Sequence, residues 1–437
     1  MKKHVCLFLL IAMGWSAAAQ TARDDFGRDI RLSASNLLAY PGPAQKEPTP
    51  PPADKKPFYI SHYGRHGSRY LIDPRDYDMP YYTLLRADSA GALTLTGKDV
   101  VRRLEMIRQE AQGRLGELSP LGAMQHRQIA RRMYERFPEV FGDGVCIDAK
   151  STVVIRCILS MENELLELAR LNPSLRFTFD ASKHDMAYMN FDDKALVRQR
   201  RNEESDAIYE DFCKKNISPD HLLCQLFSDT VYAKRNINIA DFYEKMFKLA
   251  SAVQNTEQRD RVSLYDLFTD DDIYNSWRGA NLWWYLNYGA APVNGGWQPY
   301  SQRRLLRKII EEADSCLLLE HPGATLRFGH ETMVLPLVCL MGIDGYDLST
   351  DDYSHLENKG WINYNVFPMG ANIQIVFYRS DITDDDILVK VLLNENEATL
   401  PIVTDMAPYY HWSDVRAYYL DKLDTFETGA GAHLRGE

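Results

Sequence analysis

Apolar positions change their spacing several times along this chain, and each change predicts a different element. Val5 to Met13 is an apolar run behind Lys2-Lys3, too short to span a bilayer as a helix. Ala17-Ala18-Ala19 follows as a small-residue cleavage box before Gln20, so 1–19 reads as a signal peptide. Seven prolines between Pro41 and Pro57 predict an extended lead-in over 20–57 in place of a domain core. Phe58 to His62 has strand length and burial character, and Gly64 to Ser68 reads as the turn after it. Leu93 to Glu110 and Pro120 to Phe137 predict helices. In the second, Leu121, Met124, Ile129 and Met133 approximate one helical stripe. Val153-Val154-Ile155 predicts a further strand.

From Met161 to Trp297 strand-like alternation is scarce, helical spacing dominates and aromatic residues are frequent, as in Trp283-Trp284-Tyr285. Strand patterns return at Thr325 to Phe328, Asn372 to Tyr378 and Ile387 to Leu393. Strands separated by helices predict an α/β fold. It would be a sheet flanked by helices, formed by 58–160 and 298–437, with 161–297 inserted as a mainly α-helical cap domain. No internal repeat is present, and Gly429 to Glu437 reads as a loose tail.

Composition adds three constraints. With 45% hydrophobic and 25% charged residues, the 437-residue chain can bury a sizeable core. Loss of Lys2 and Lys3 with the signal takes the formal net charge from −11 to −13, which argues against general nucleic-acid binding. An anionic substrate must therefore meet a local basic pocket. Six cysteines remain after the signal; an even number permits disulfides in an exported protein, and buried thiols are the alternative. No later run reaches membrane-spanning length, so the expectation is an exported soluble monomer, periplasmic or secreted, acting on a small-molecule phosphomonoester.

The candidate chemistry lies in two clusters. Arg65-His66-Gly67-Ser68-Arg69 sets a histidine between two arginines at a strand end. Imidazole attacks phosphorus, and guanidinium groups fork onto phosphate oxygens. Arg327-Phe328-Gly329-His330-Glu331-Thr332 leads into the apolar run Met333 to Leu340, with Thr332 as the expected N-cap. Both clusters would meet at the carboxyl edge of the sheet, where α/β folds gather anions. His66 is then the nucleophile, and Glu331 protonates the leaving alkoxide and later activates water. Arg65, Arg69 and a third arginine, Arg156, bind phosphate, with His330 as a further donor. Arginine charge takes the part that a metal plays elsewhere, so no metal or other cofactor is expected. Val334 occupies the place of the second histidine in H-E-x-x-H, which removes the zinc motif. His62 reads as a packing residue, and His126 and Arg127 as helix-surface residues. Arg200, Arg201 and Asn372 are the candidates for binding the rest of the substrate.

These residues carry a resemblance. Arg65 to Arg69 resembles the R-H-G-x-R signature of the histidine acid phosphatases, clade two. Ser151-Thr152 through Arg156 and Ser160 resembles their middle motif, and His330-Glu331-Thr332 falls where the family has His-Asp-Thr. Phe328-Gly329-His330 and Leu335-Pro336-Leu337 look most like the multiple inositol polyphosphate phosphatases, or histidine phytases. The resemblance implies a phosphoglycerate-mutase-like domain, an inserted helical domain and a phosphohistidine intermediate. It also implies phytate-type substrates, with 2,3-bisphosphoglycerate as a second substrate of the family. One departure stands out: those phosphatases carry His-Ala-Glu, whereas Glu331 directly follows His330. The alternatives are a broad or sugar-phosphate acid phosphatase, and a phospholigand-binding protein without turnover.

Overall fold

The computed structural model describes residues 22–190, 193–200 and 202–431. Its eight strands form one mixed sheet in the order β3-β2-β4-β1-β5-β6-β7, with β8 paired to β6. They are β1 (Lys56–Arg65), β2 (Cys146–Ser151), β3 (Arg176–Asp180), β4 (Gly323–Gly329), β5 (Asn372–Arg379), β6 (Leu388–Leu393), β7 (Asn396–Ala398) and β8 (Tyr410–His411). Strands β3, β2, β4 and β1 run parallel, and β5, β6 and β7 continue antiparallel. Every residue of β4, β5 and β6 is buried, which is why these strands read as apolar runs instead of alternating ones.

Helices cover both faces. Ile60, Ile147, Leu326 and Val376 pack under Ala130, Met133, Met161 and Leu168, from the helices Pro120–Arg136 and Ile155–Leu171. Tyr59, Tyr63, Ile375 and Phe377 face the other way, against the helices Arg303–Leu317, Glu331–Met341 and Trp412–Thr428. A separate apolar cluster joins the helices Arg75–Ser89, Leu95–Ala111, Asp220–Leu226, Ile239–Ala252 and Asp270–Tyr288.

Several expectations change. The lead-in is not extended throughout: Ala22–Arg28 is a helix and Ile30–Leu37 a 3₁₀ helix, and Ala22, Ala34 and Leu37 are buried in the helical cluster. The boundary at residue 160 falls inside the helix Ile155–Leu171, and β3, from the segment read as helical, is an edge strand of the sheet. The helical cluster also draws on residues 71–111, outside the expected insertion. Val153-Val154-Ile155 is not a strand. β2 ends at Ser151, Val153 and Ile155 are exposed, and Ile155 opens a helix. Three β-branched residues signalled a strand, but they lie beyond the sheet's edge, where no partner is available.

Met124 is exposed, and the buried stripe of the Pro120–Arg136 helix is Gly122, Gln125, His126, Ile129, Ala130 and Met133. All six cysteines are free thiols, with Cys157 and Cys339 buried. Among the described residues no helix is long and apolar enough to cross a membrane. The expected signal peptide, Arg201 and the tail from residue 432 lie outside the described residues.

Candidate active site

The sheet's register brings the two sequence clusters together. Arg65 pairs with Gly329, and Ser151 with Phe328, so β1, β4 and β2 end side by side. The helix after β2 begins at Ile155 and puts Arg156 in its first turn; the helix after β4 begins at Glu331. Two helix N-termini therefore face the strand ends, with the polarity that favours an anion. Thr332 is not the cap of the second helix. His330 holds that position without a side-chain cap bond, and its Nε2 lies 3.3 Å from Thr152 Oγ1.

The segment after β1 is held from all sides. His66 N–H donates to the Gly329 carbonyl (3.0 Å), and the His66 carbonyl accepts from Gly370 (2.9 Å). Gly67 N–H donates to Ser160 Oγ (3.1 Å), and Ser68 N–H to Gln125 Oε1 (2.9 Å). Ser68 Oγ donates to Asn255 Oδ1 (2.6 Å). Gly67 is required by close approach: a Cβ there would lie 2.5 Å from the Gly122 carbonyl oxygen.

His66 is fully buried. Its Nδ1 lies 2.9 Å from the Gly67 carbonyl, which can only accept, so Nδ1 carries the proton and Nε2 carries the lone pair. Nε2 has no hydrogen-bond partner in the protein and lies 3.7 Å from Glu331 Oε2. Burial, reinforced by the charges of Arg65, Arg69 and Arg156, holds this imidazole well below its ordinary pKa. The ring of His330 stands edge-on, 5.7 Å away.

Three guanidinium groups converge here. Arg65 Nη1 is anchored on the carbonyls of Asn36 and Phe367, both at 2.7 Å, and its Nε lies 3.0 Å from Glu331 Oε2. Arg69 Nη1 donates to the Tyr70 carbonyl (2.9 Å), and Arg156 Nη1 to the Gly116 carbonyl (3.5 Å). Arg65 Nη2, Arg69 Nε and Arg156 Nε are buried without partners, as is His66 Nε2. Buried donors left in this way suit an oxyanion with several acceptor oxygens. Burial works to raise the pKa of Glu331, but Arg65 and Arg69, with His330, outweigh it and hold the carboxyl at about 2. Burial, with the arginine charges, takes His330 down to about 4 against the opposing pull of Glu331.

Ligand atoms of His66, His330 and Glu331 lie within 4.8 Å of one another, a spacing a metal ion could use. The three arginine charges around them oppose a cation and favour an anion.

Other residues fall into place around this centre. Arg327 ion-pairs with Glu312 and donates to Ser61 Oγ (3.0 Å), so it braces the sheet. His62 is buried against Phe328, and burial lowers it to about 3, in keeping with a packing role. His126 is no surface residue: it is 1% exposed, and its Nδ1 lies 2.7 Å from the fully buried Glu164. Met124, read into the apolar stripe, lies about 200° around the helix from His126 and is exposed, whereas His126 shares the buried face of Ile129 and Met133. Arg127 is exposed, as expected, and bonds Asn163 Oδ1 (2.8 Å). Arg200 lies over the Tyr288 ring and lines a cavity with Thr332, the residue that follows Glu331 in the sequence. Asn372 is not placed for substrate. Its Nδ2 donates to Tyr40 Oη and the Gly370 carbonyl, and its Oδ1 accepts from Gln374. Asn36 was missed altogether: its Nδ2 donates to Glu331 Oε1 (3.3 Å) from 295 residues away, and no local pattern marks it.

A buried imidazole, a carboxyl facing it and three converging guanidinium groups are an arrangement suited to phosphoryl transfer. The chain belongs to the histidine phosphatase superfamily, branch 2, whose family profile matches residues 64–394, and it is an enzyme of the histidine acid phosphatase class. It is 24% identical over 327 residues to multiple inositol polyphosphate phosphatase 1 of Gallus gallus, covering 71% of this chain and 70% of that one. Its fold is similar to the multiple inositol polyphosphate phosphatase of Bifidobacterium longum in complex with inositol hexasulfate. There the TM-score is 0.67 and the identity 18%, over 89% of this chain and 97% of the other. The phytase from D. castellii is similar as well, with a TM-score of 0.66 and 14% identity over 90% and 85% of the two chains.

Proposed function

We propose that this enzyme is an exported, monomeric phosphomonoesterase that hydrolyses inositol polyphosphates through a phosphohistidine on His66. The observation that carries the reading is the tautomer of His66. Its Nδ1 is committed to the Gly67 carbonyl, and its Nε2 lone pair faces Glu331 amid three guanidinium groups. Nε2 attacks phosphorus; the P–N bond forms as the bond to the ester oxygen breaks. Glu331 Oε2 gives its proton to the leaving alkoxide. Water then gives a proton back to Glu331 and attacks phosphorus, the P–N bond breaks and inorganic phosphate leaves. Glu331 is ionised in the ligand-free site. A bound phosphate neutralises the arginine charges that keep it so, and the carboxyl can then hold the proton it must donate.

Support for an inositol polyphosphate comes from the relatives. The Gallus gallus protein is named for such substrates, and the Bifidobacterium longum enzyme has been seen with inositol hexasulfate and with phosphate. In this chain Arg200 borders a cavity of about 330 Å³ that also meets Tyr288, Gln302 and Thr332. The helices between Met186 and Tyr288 would act as the cap that holds the remaining phosphates. A broad-specificity acid phosphatase is the second reading. It is favoured by the same cavity, where Arg200 is the only basic residue among the described lining. A panel of phytate, 2,3-bisphosphoglycerate and sugar phosphates separates the two: a kcat/KM preference for phytate supports the first, and flat values support the second. Fractionation of expressing cells tests export.

A further inference from the structure

We propose that Asn36, in the N-terminal 3₁₀ helix, is a positioning residue that fixes which oxygen of Glu331 carries the catalytic proton. The inference rests on Glu331 being the proton donor. Asn36 Nδ2 donates to Glu331 Oε1 at 3.3 Å. An amide NH₂ is donor only, so an oxygen engaged by it keeps its lone pair and is disfavoured as the site of protonation. That leaves Oε2, the oxygen 3.7 Å from the His66 nucleophile. Arg65 Nε is 3.0 Å from Oε2 outside hydrogen-bond geometry; its charge opposes protonation of the carboxyl until a bound phosphate neutralises it, and the directional bond from Asn36 then distinguishes the two oxygens.

The position of Asn36 is strongly determined. Its own carbonyl accepts from Arg65 Nη1 (2.7 Å), so one residue holds both the phosphate clamp and the acid. The residue before it, Ser35, is buried with φ 55° and ψ −125°, a conformation costly for a side-chain-bearing residue. Asn363 Nδ2 secures it through Ser35 Oγ (2.8 Å). The Leu37 carbonyl after it accepts from Asn255 Nδ2 (2.7 Å), and Asn255 Oδ1 accepts from Ser68 of the nucleophile segment (2.6 Å). Strain on one side and a tie to the nucleophile on the other mark a segment built to present Asn36 to the site.

The test is the dependence of rate on the leaving group. An alkyl phosphate needs a proton from Glu331, and an aryl phosphate such as p-nitrophenyl phosphate needs it far less. In Asn36→Ala the alkyl-to-aryl ratio of kcat/KM should fall about tenfold, the scale of one hydrogen bond to a charged group. A purely structural role would lower both substrates alike, and an unchanged ratio overturns the proposal. Asn36→Asp keeps the side chain's shape and reads the same relation should Asn36→Ala unfold. Glu331 is faced by Arg65, His66, Arg69, Arg156 and His330, and a second carboxylate at Asn36 opposes its ionisation. The alkaline limb of the alkyl-ester profile should then move up by about one pH unit. An unmoved limb counts against the proposal. Glu331→Gln is run in parallel. If it collapses the ratio while both Asn36 variants leave ratio and limb unchanged, only the role of Asn36 fails. If Glu331→Gln itself leaves the ratio intact, the acid assignment fails and the proposal with it.

Discussion

At the scale of single residues, the proposed chemistry turns on two groups, an imidazole kept neutral in mild acid and a carboxyl that must take up a proton once phosphate is bound. His66 is kept unprotonated by burial and by its arginine neighbours, so it remains a nucleophile below pH 6.5. Protonating it stops attack, and its lowered pKa moves that loss to a correspondingly lower pH. Proton donation by Glu331 fails as pH rises through the pKa it acquires with phosphate bound. A bell-shaped kcat profile with an acidic optimum is the expected outcome, since kcat reports the complex with substrate bound, and a rate that climbs steadily to pH 9 would contradict both roles. Glu331→Gln should lower kcat on phytate by about 10² to 10⁴-fold, the range of general acid catalysis, in steady-state phosphate release. The convergence of Arg65, His66, Arg69, His330 and Glu331 was legible in the sequence because they fall in two short clusters, each at a strand end. Asn36, Gln125 and Asn255 were not, because each meets the site only through the fold.

Elements set these residues in place through their ends. Gly67 and Gly122 let the nucleophile segment lie directly on the Pro120–Arg136 helix. Gly67→Ala would press a methyl group onto backbone that cannot swing aside. Its stability should fall by about 1–3 kcal/mol in denaturant unfolding, with activity lost alongside. The strands β1, β4, β5 and β6 could be read from sequence because burial on both faces leaves near-continuous apolar runs. Val153 to Ile155 misled for the converse reason: β-branched residues signal a strand even where no strand edge is left to pair. Arg156 still lies near His66, but from the first turn of a helix in place of a strand end. β3 escaped notice because its residues are largely exposed at the sheet's edge, without an apolar run.

For the whole molecule, an acidic chain gathers three arginines, Arg65, Arg69 and Arg156, around His66 at the end of the sheet. The division into sheet and helices was legible from the spacing of apolar residues. Membership in the helical cluster was not, because residues 71–111 and the segment before Leu37 join it only in three dimensions. Arg200 tests whether this outer layer selects substrate. Arg200→Ala should reduce kcat/KM for phytate about tenfold, the scale of one charged hydrogen bond, while a small phosphomonoester is affected much less. Equal losses on both substrates would remove Arg200 from recognition. The central claim is the covalent intermediate. Rapid-quench reaction with radiolabelled phytate, followed by peptide mapping, should find an acid-labile phosphoryl group on His66 that forms and decays at least as fast as turnover, and none in His66→Ala. Turnover with no label on His66, or wild-type kcat in His66→Ala, would contradict the mechanism.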